Sequence, residues 1–147
     1  MLEELCAVII IGLPGSGKST ASDILSESSW NVVSAGDTVR SMCLKEGLDV
    51  DRDALQVYGE SFFRKCGANA FSSILINKAP KYGCTVFEGI RPIEVIKKIQ
   101  KTLNCWVIYI ESNNLIRFEM LKTRDHFTQH AFSRLENNSI EKQVFTM

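Results

Sequence analysis

At 147 residues the chain is one domain's length, enough to bury its own core. Seventeen Lys and Arg balance seventeen Asp and Glu, so no overall field draws it to nucleic acid or to a membrane surface. No stretch is apolar for long enough to span a bilayer, and the five cysteines (Cys6, Cys43, Cys66, Cys84, Cys105) form no C-x-x-C pair, which argues against a zinc or disulfide framework and for buried free thiols in a reducing, cytoplasmic setting.

The chain opens on two acids and then a continuously apolar, β-branched run, Leu5 to Ile11. That pattern predicts a strand buried on both faces of a parallel sheet, not a signal peptide. Residues 12–19 follow as Gly-Leu-Pro-Gly-Ser-Gly-Lys-Ser, with Gly12, Gly17, Lys18 and Ser19 filling every fixed position of G-x-x-x-x-G-K-[ST]. A helix is predicted from about 18 to 28. Strand, glycine loop and helix together make a phosphate-binding loop, because glycines let the backbone wrap an anion and successive N–H groups point inward at a helix N-terminus. Pro14, Gly15, Ser16 and Thr20 belong to the same cradle. Lys18 is expected to reach the β- and γ-phosphates of ATP, and the Ser19 hydroxyl to bind Mg²⁺.

A second strand is predicted over Trp30–Ser34, then a helix from near Asp37 to Glu46 that stops at Gly47. Asp37 and Arg40 share one face of its first turn, the face beside the phosphate loop. There Asp37 can accept a proton or hydrogen bond from an acceptor, and Arg40 can grip an anion; the plainer reading is Asp37 as a helix cap with Arg40 in solvent. A long helical region runs from the polar stretch 49–53 to about Lys78, bent near Gly67. A third strand, Cys84–Phe87, leads into Glu88-Gly89-Ile90-Arg91-Pro92. An acid ending a strand beside a phosphate loop is placed to hold Mg²⁺ through water, so Glu88 joins Ser19 as a metal candidate. Arg91 is expected to converge with Arg40 on an acceptor that carries phosphate.

A helix from Pro92 to about Leu103 precedes a fourth strand, Trp106–Ile110, and a helix from Asn114 to Lys122. The polar stretch 125–140 has no clear period. Arg124 and Arg134 are the candidates for catalytic arginines on a mobile segment, covering charge on the transferring group and excluding water. His126 and His130, four apart, lack a third ligand and read as lid or surface residues. Alternating strands and helices imply parallel pairing and right-handed crossovers, with ligands beyond the carboxyl ends of the strands.

These stretches carry a resemblance. The run 12–20 is similar to the phosphate loop of the adenylate-kinase-like nucleoside monophosphate kinases, a group of P-loop kinases. Ser-Ala-Gly-Asp-Thr-Val-Arg at 34–40 resembles the group's Gly-Asp-x-x-Arg, which lines its monophosphate site. Phe-Glu-Gly-Ile-Arg-Pro at 87–92 resembles its Asp-Gly-x-x-Arg stretch, with Glu88 in place of Asp. Leu115 to Arg124 resembles the helix that leads to an arginine-bearing lid. Arg52, Leu55, Gln56, Gly59, Arg64 and Gly67 are spaced as in viral deoxynucleoside monophosphate kinases, which makes Arg52, Gln56 and Arg64 candidate acceptor contacts.

The resemblance implies a three-layer α/β/α P-loop NTPase fold with a short parallel sheet of four to five strands. It implies a single domain over 1–147, with an acceptor-binding helical region at about 37–80 and a short lid at about 123–139. The lid has no cysteine zinc pattern, and only residues 141–147 remain where such kinases place a fifth strand and a closing helix; this leaves a homodimer or a truncated chain open. Two enzyme readings follow. One is γ-phosphate transfer from ATP to a (deoxy)nucleoside monophosphate, in the cytoplasm or a virus's host cytoplasm. The other is transfer to a hydroxyl of a nucleoside, a modified base in DNA or a polynucleotide end, where Asp37 is the general base. A nucleotide-binding module without turnover is the third reading, against which Lys18, Ser19, Glu88 and the cleft arginines stand.

Overall fold

The structure, a computed structural model, describes residues 6–136. Its first strand, β1 (Cys6–Ile11), carries the apolar run into the glycine loop, and α1 (Lys18–Glu27) leaves it. Then come β2 (Asn31–Ser34), α2 (Ala35–Lys45), α3 (Arg52–Lys78), β3 (Cys84–Glu88), α4 (Ile93–Leu103), β4 (Trp106–Tyr109), α5 (Asn114–Asp125) and α6 (Gln129–Glu136).

Among the described residues the four strands form one parallel sheet in the order β2-β3-β1-β4. Strand parity sorts β1 between two cores. Ala7, Ile9 and Ile11 join Val33 and Phe87 against Phe71 and Leu75 of α3 and Val95, Ile96 and Ile99 of α4. Val8 and Ile10 join Val86 against Ala21 and Leu25 of α1. Helices therefore cover both faces, which is the expected three-layer arrangement. The central position of β1 explains its unbroken apolar character.

The helices differ from expectation at their ends. α2 starts two residues before Asp37, because the Ser34 hydroxyl accepts the Asp37 N–H at 3.2 Å and caps the first turn. Asp37 is thus not the cap. α3 is capped by Asp51, whose Oδ1 accepts the Ala54 N–H at 2.9 Å. Gly67 breaks α3 with φ 80° and ψ 175°, outside the helical region and accessible to glycine at least cost. α5 runs on to Asp125, and the polar stretch after it contains α6, where the Thr128 hydroxyl accepts the Ala131 N–H at 3.1 Å. Residues 141–147, the candidate edge strand, lie outside the described residues. All five cysteines are free, but only Cys43 and Cys105 are buried; Cys84 is half-buried, and Cys6 and Cys66 are exposed.

Candidate functional site

The glycine loop sits at the carboxyl end of the sheet, where Ile110 donates its N–H to Ile11 O at 2.8 Å and holds the β1 and β4 ends together. Ser16 N–H bonds Leu13 O at 3.1 Å and closes the turn. Lys18 Nζ donates to the carbonyl oxygens of Gly12 and Leu13, both at 2.8 Å, so the ammonium lies along the inner edge of its own loop. Gly15 has φ +78°, and a Cβ there would stand 2.6 Å from Arg117 O. Only glycine fits that close approach to α5.

The loop opens on a cleft of about 730 Å³, the size of a small-molecule site. Gly12, Pro14, Gly15, Gly17, Lys18, Ser19 and Thr20 line one side. Asp37 and Arg40 of α2, Arg52 and Gln56 of α3, Arg91 after β3 and Arg124 near the end of α5 line the rest. Between them Val39, Leu55, Phe63, Phe71 and Ile90 make an apolar wall, assembled from three segments that no sequence motif marks. A flat aromatic group on that wall would lie within reach of arginines for an attached phosphate.

Four expected residues are not in the lining. Ser16 is buried beneath the loop, and its hydroxyl has no hydrogen-bond partner among the described residues. Glu88 shares strand parity with Val86, so its side chain falls on the α1 side of the sheet, where Oε2 accepts the Ser22 hydroxyl at 2.8 Å. Arg64 is exposed; it follows the cleft-lining Phe63 by one residue and is turned about 100° around α3 from it. Arg134 is exposed on α6, two residues past buried Phe132 and therefore on the opposite side of that helix. His126 is the left-handed cap that ends α5, at φ 53°. No group of three or more His, Cys, Asp and Glu suited to a metal occurs among the described residues.

Two side chains matter that the motifs did not pick out. Asp125 binds Arg124 through two contacts, 2.9 and 3.2 Å, and lies 3.8 Å from Arg52. The hydrogen bond from Arg124 is the main reason its carboxyl is held below the ordinary aspartate value, with Arg52 adding to it. Arg52 also rests on the Phe127 ring, 4.5 Å from its centroid. An arginine expected on the acceptor side and one expected on the lid thus meet at one carboxylate. The other side chain is Arg117, only 1% exposed, whose Nε donates to Pro14 O at 2.9 Å. Its place is readable in hindsight: it lies four residues before buried Leu121 and so on the same face of α5.

A glycine loop between a central parallel strand and its following helix, opening on a cationic cleft, defines a P-loop domain of the kind that holds nucleotide phosphates. The chain belongs to the AAA_18 family, described as an AAA domain, whose model matches residues 8–142. It is 34% identical over 123 residues to a UPF0200 protein of Methanococcus vannielii, covering 79% of this chain and 65% of that protein. It is 30% identical over 130 residues to a UPF0200/UPF0201 protein of Archaeoglobus fulgidus, covering 84% of this chain and 40% of that protein. The chain therefore spans less than two thirds of these relatives. In fold it is similar to TT1252 from Thermus thermophilus, with TM-score 0.62 and 18% identity over 96% of this chain and 84% of that one. It is also similar to shikimate kinase from Acinetobacter baumannii, with TM-score 0.55 and 16% identity over 92% of this chain and 74% of that one.

Proposed function

We propose that the protein is a P-loop kinase that transfers the γ-phosphate of ATP to a nucleoside monophosphate. One observation carries this reading: the phosphate loop, an apolar wall and arginines from four separate segments of the chain face a single cleft. The loop side suits the donor triphosphate. Val39, Leu55, Phe63, Phe71 and Ile90 suit a base, and Arg40, Arg52 and Arg91 suit the phosphate of the acceptor. The acceptor region is then about 37–80 and the lid about 123–139, within one catalytic domain. The relatives named above are archaeal, and they give no support to a viral origin or to a preference for deoxynucleotides.

In the proposed reaction an oxygen of the acceptor phosphate attacks the γ-phosphorus, the bond to the β–γ bridging oxygen breaks, and ADP leaves. That nucleophile is already ionised, so the protein's part is positioning and charge stabilisation. Lys18 leaves the Gly12 and Leu13 carbonyls for the phosphate oxygens. Arg124 supplies lid charge once Asp125 shares it, and Arg91 holds the acceptor. The donor set fits a magnesium ion held mostly by phosphate and water: Ser19 lines the cleft, and Glu88 accepts the hydroxyl of Ser22, three residues further along α1. Such an ion would neutralise charge on the β- and γ-oxygens.

Asp37 favours a second reading. Its carboxylate is exposed in the cleft and accepts no hydrogen bond among the described residues, so it is available as general base for a hydroxyl acceptor. γ-Labelled ATP with Mg²⁺ separates the two. It is offered to ribo- and deoxynucleoside monophosphates, nucleosides, and DNA with and without hydroxymethylated bases. Label in a monophosphate, with Asp37→Asn losing about tenfold or less, is the expected result. Label only in a nucleoside or DNA, abolished by Asp37→Asn, makes Asp37 the base. Label released only to water leaves a nucleotide-binding module.

A further inference from the structure

Arg117 is the bulkiest of the fully buried side chains, and the proposed transfer makes no use of it. A guanidinium taken out of water is costly unless its donors are satisfied. Here they are shared among three elements. Nε donates to Pro14 O at 2.9 Å, Nη1 to Asn114 Oδ1 at 3.1 Å and Nη2 to Glu136 Oε1 at 2.6 Å, with the Phe132 ring 5.4 Å away. Pro14 is in the phosphate loop, Asn114 begins α5, and Glu136 is in α6.

The bond to Pro14 has a consequence for anion binding. A trans peptide points its carbonyl and the following N–H in opposite directions. With the Pro14 carbonyl turned toward the Arg117 guanidinium, the Gly15 N–H is turned away from it, and Gly15 lines the cleft. If this peptide rotated, the cradle would present a carbonyl oxygen to phosphate in place of a donor. Glycine at 15 and proline at 14 supply no side-chain hydrogen bond that could hold the peptide themselves. The Arg117 backbone adds a second contact, since its carbonyl lies close enough to bar any Cβ at Gly15.

We propose that Arg117 is a positioning residue for the phosphate cradle, setting the direction of the Pro14–Gly15 peptide, and that Glu136 links the placement of α6 to it. Arg117 is not part of the cleft lining. The inference rests on the reading that the loop binds nucleotide phosphates, and not on which acceptor is used.

Arg117→Lys keeps a charge for Glu136 but cannot bond Pro14, Asn114 and Glu136 at once. Calorimetry with inorganic tripolyphosphate, ATP and adenosine reads the cradle without turnover. For Arg117→Lys, tripolyphosphate and ATP should bind about tenfold more weakly, the loss expected for one hydrogen bond to a charged group, while adenosine is unaffected. In turnover the KM for ATP should rise with the acceptor KM unchanged. Glu136→Gln, which leaves Arg117 in place, should give a smaller loss of the same kind and carries the test if Arg117→Lys does not fold. Folded variants that bind tripolyphosphate as the wild type does, or that lose adenosine equally, overturn the proposal. So does wild-type protein that binds neither tripolyphosphate nor ATP. Wild-type protein that binds both but phosphorylates nothing overturns the kinase reading and leaves this one standing.

Discussion

Lys18 bridges the carbonyl oxygens of Gly12 and Leu13, so it braces the loop as well as facing its mouth. These bonds are part-buried and local, and losing them costs about 1 kcal/mol each at most. In the proposed transfer its charge on the moving phosphate would be the larger effect. Lys18→Ala is expected to lower phosphate transfer by about 100-fold or more while the melting temperature falls by no more than about 4–8 °C, at about 2–4 °C per kcal/mol for a domain near this size. Loss of turnover together with loss of the folding transition would instead make Lys18 structural. Asp125 gives a pH test. Its folded pKa is depressed, so the stability it contributes is present above the ordinary aspartate value and is lost as pH falls through the lower folded value. The effect is small because Arg124 is more than half exposed. Asp125→Asn should therefore flatten the acid limb of a stability-against-pH curve slightly, and should leave stability above pH 5 nearly independent of pH there. An acid limb identical to that of the wild type would place the acid sensitivity elsewhere. The course of the loop 12–20 was legible because it depends on its own backbone, though not that Ser16 is buried outside the cleft lining. Arg64, Glu88, Arg134 and Arg117 were not, because a charged residue's role depends on which face its helix or strand turns to the cleft.

At the scale of elements, α3 shows how one residue divides a helix between two tasks. Before Gly67 it presents Arg52, Gln56 and Phe63 to the cleft; after it, Leu75 sits in the sheet core and Phe71 serves both core and cleft wall, and the bend is stated by φ 80° at Gly67. A Cβ at Gly67 would meet nothing within 4 Å, so the cost of substitution is backbone strain alone. Gly67→Ala should destabilise the protein by about 1–2 kcal/mol in denaturant unfolding with an unchanged m-value. Neutrality would mean that α3 straightens through the substitution without loss. The bend was expected at Gly67, although Gly59 in the same helix stays helical, and the start of α5 was readable from Asn113, whose Oδ1 caps Ile116 at 2.9 Å. The extent of α2 was not, because Ser34 ends β2 and caps the helix at once, which leaves no loop residue to mark the boundary.

The whole molecule has no net charge, yet Lys18, Arg40, Arg52, Arg91 and Arg124 face one cleft where the acids are Asp37, Glu60 and Glu94. The attraction for anions is therefore local. Tripolyphosphate and ATP should bind more weakly as salt rises, while binding of a neutral nucleoside should not change; a salt-independent tripolyphosphate affinity would deny the arginines a part. At a hundredfold excess over its dissociation constant, ATP should stabilise the fold by about 2.7 kcal/mol, read as a concentration-dependent rise in melting temperature.

The sequence by itself determined the alternation of strands and helices, the parallel sheet with a twice-buried β1, and the phosphate loop. Each is a local matter of hydrophobic period, β-branched content and backbone freedom, settled within a few residues. Only the tertiary structure decided which charges meet. Arg40, Arg52, Arg91 and Arg124 reach one cleft from four segments of the chain, whereas Arg64 and Arg134 turn away from it. Glu88 goes to Ser22, and Arg117 is sealed against Pro14. A long polar side chain reads the same in sequence whether it is solvated, paired or buried, because its partner lies tens of residues away and is brought to it only by packing.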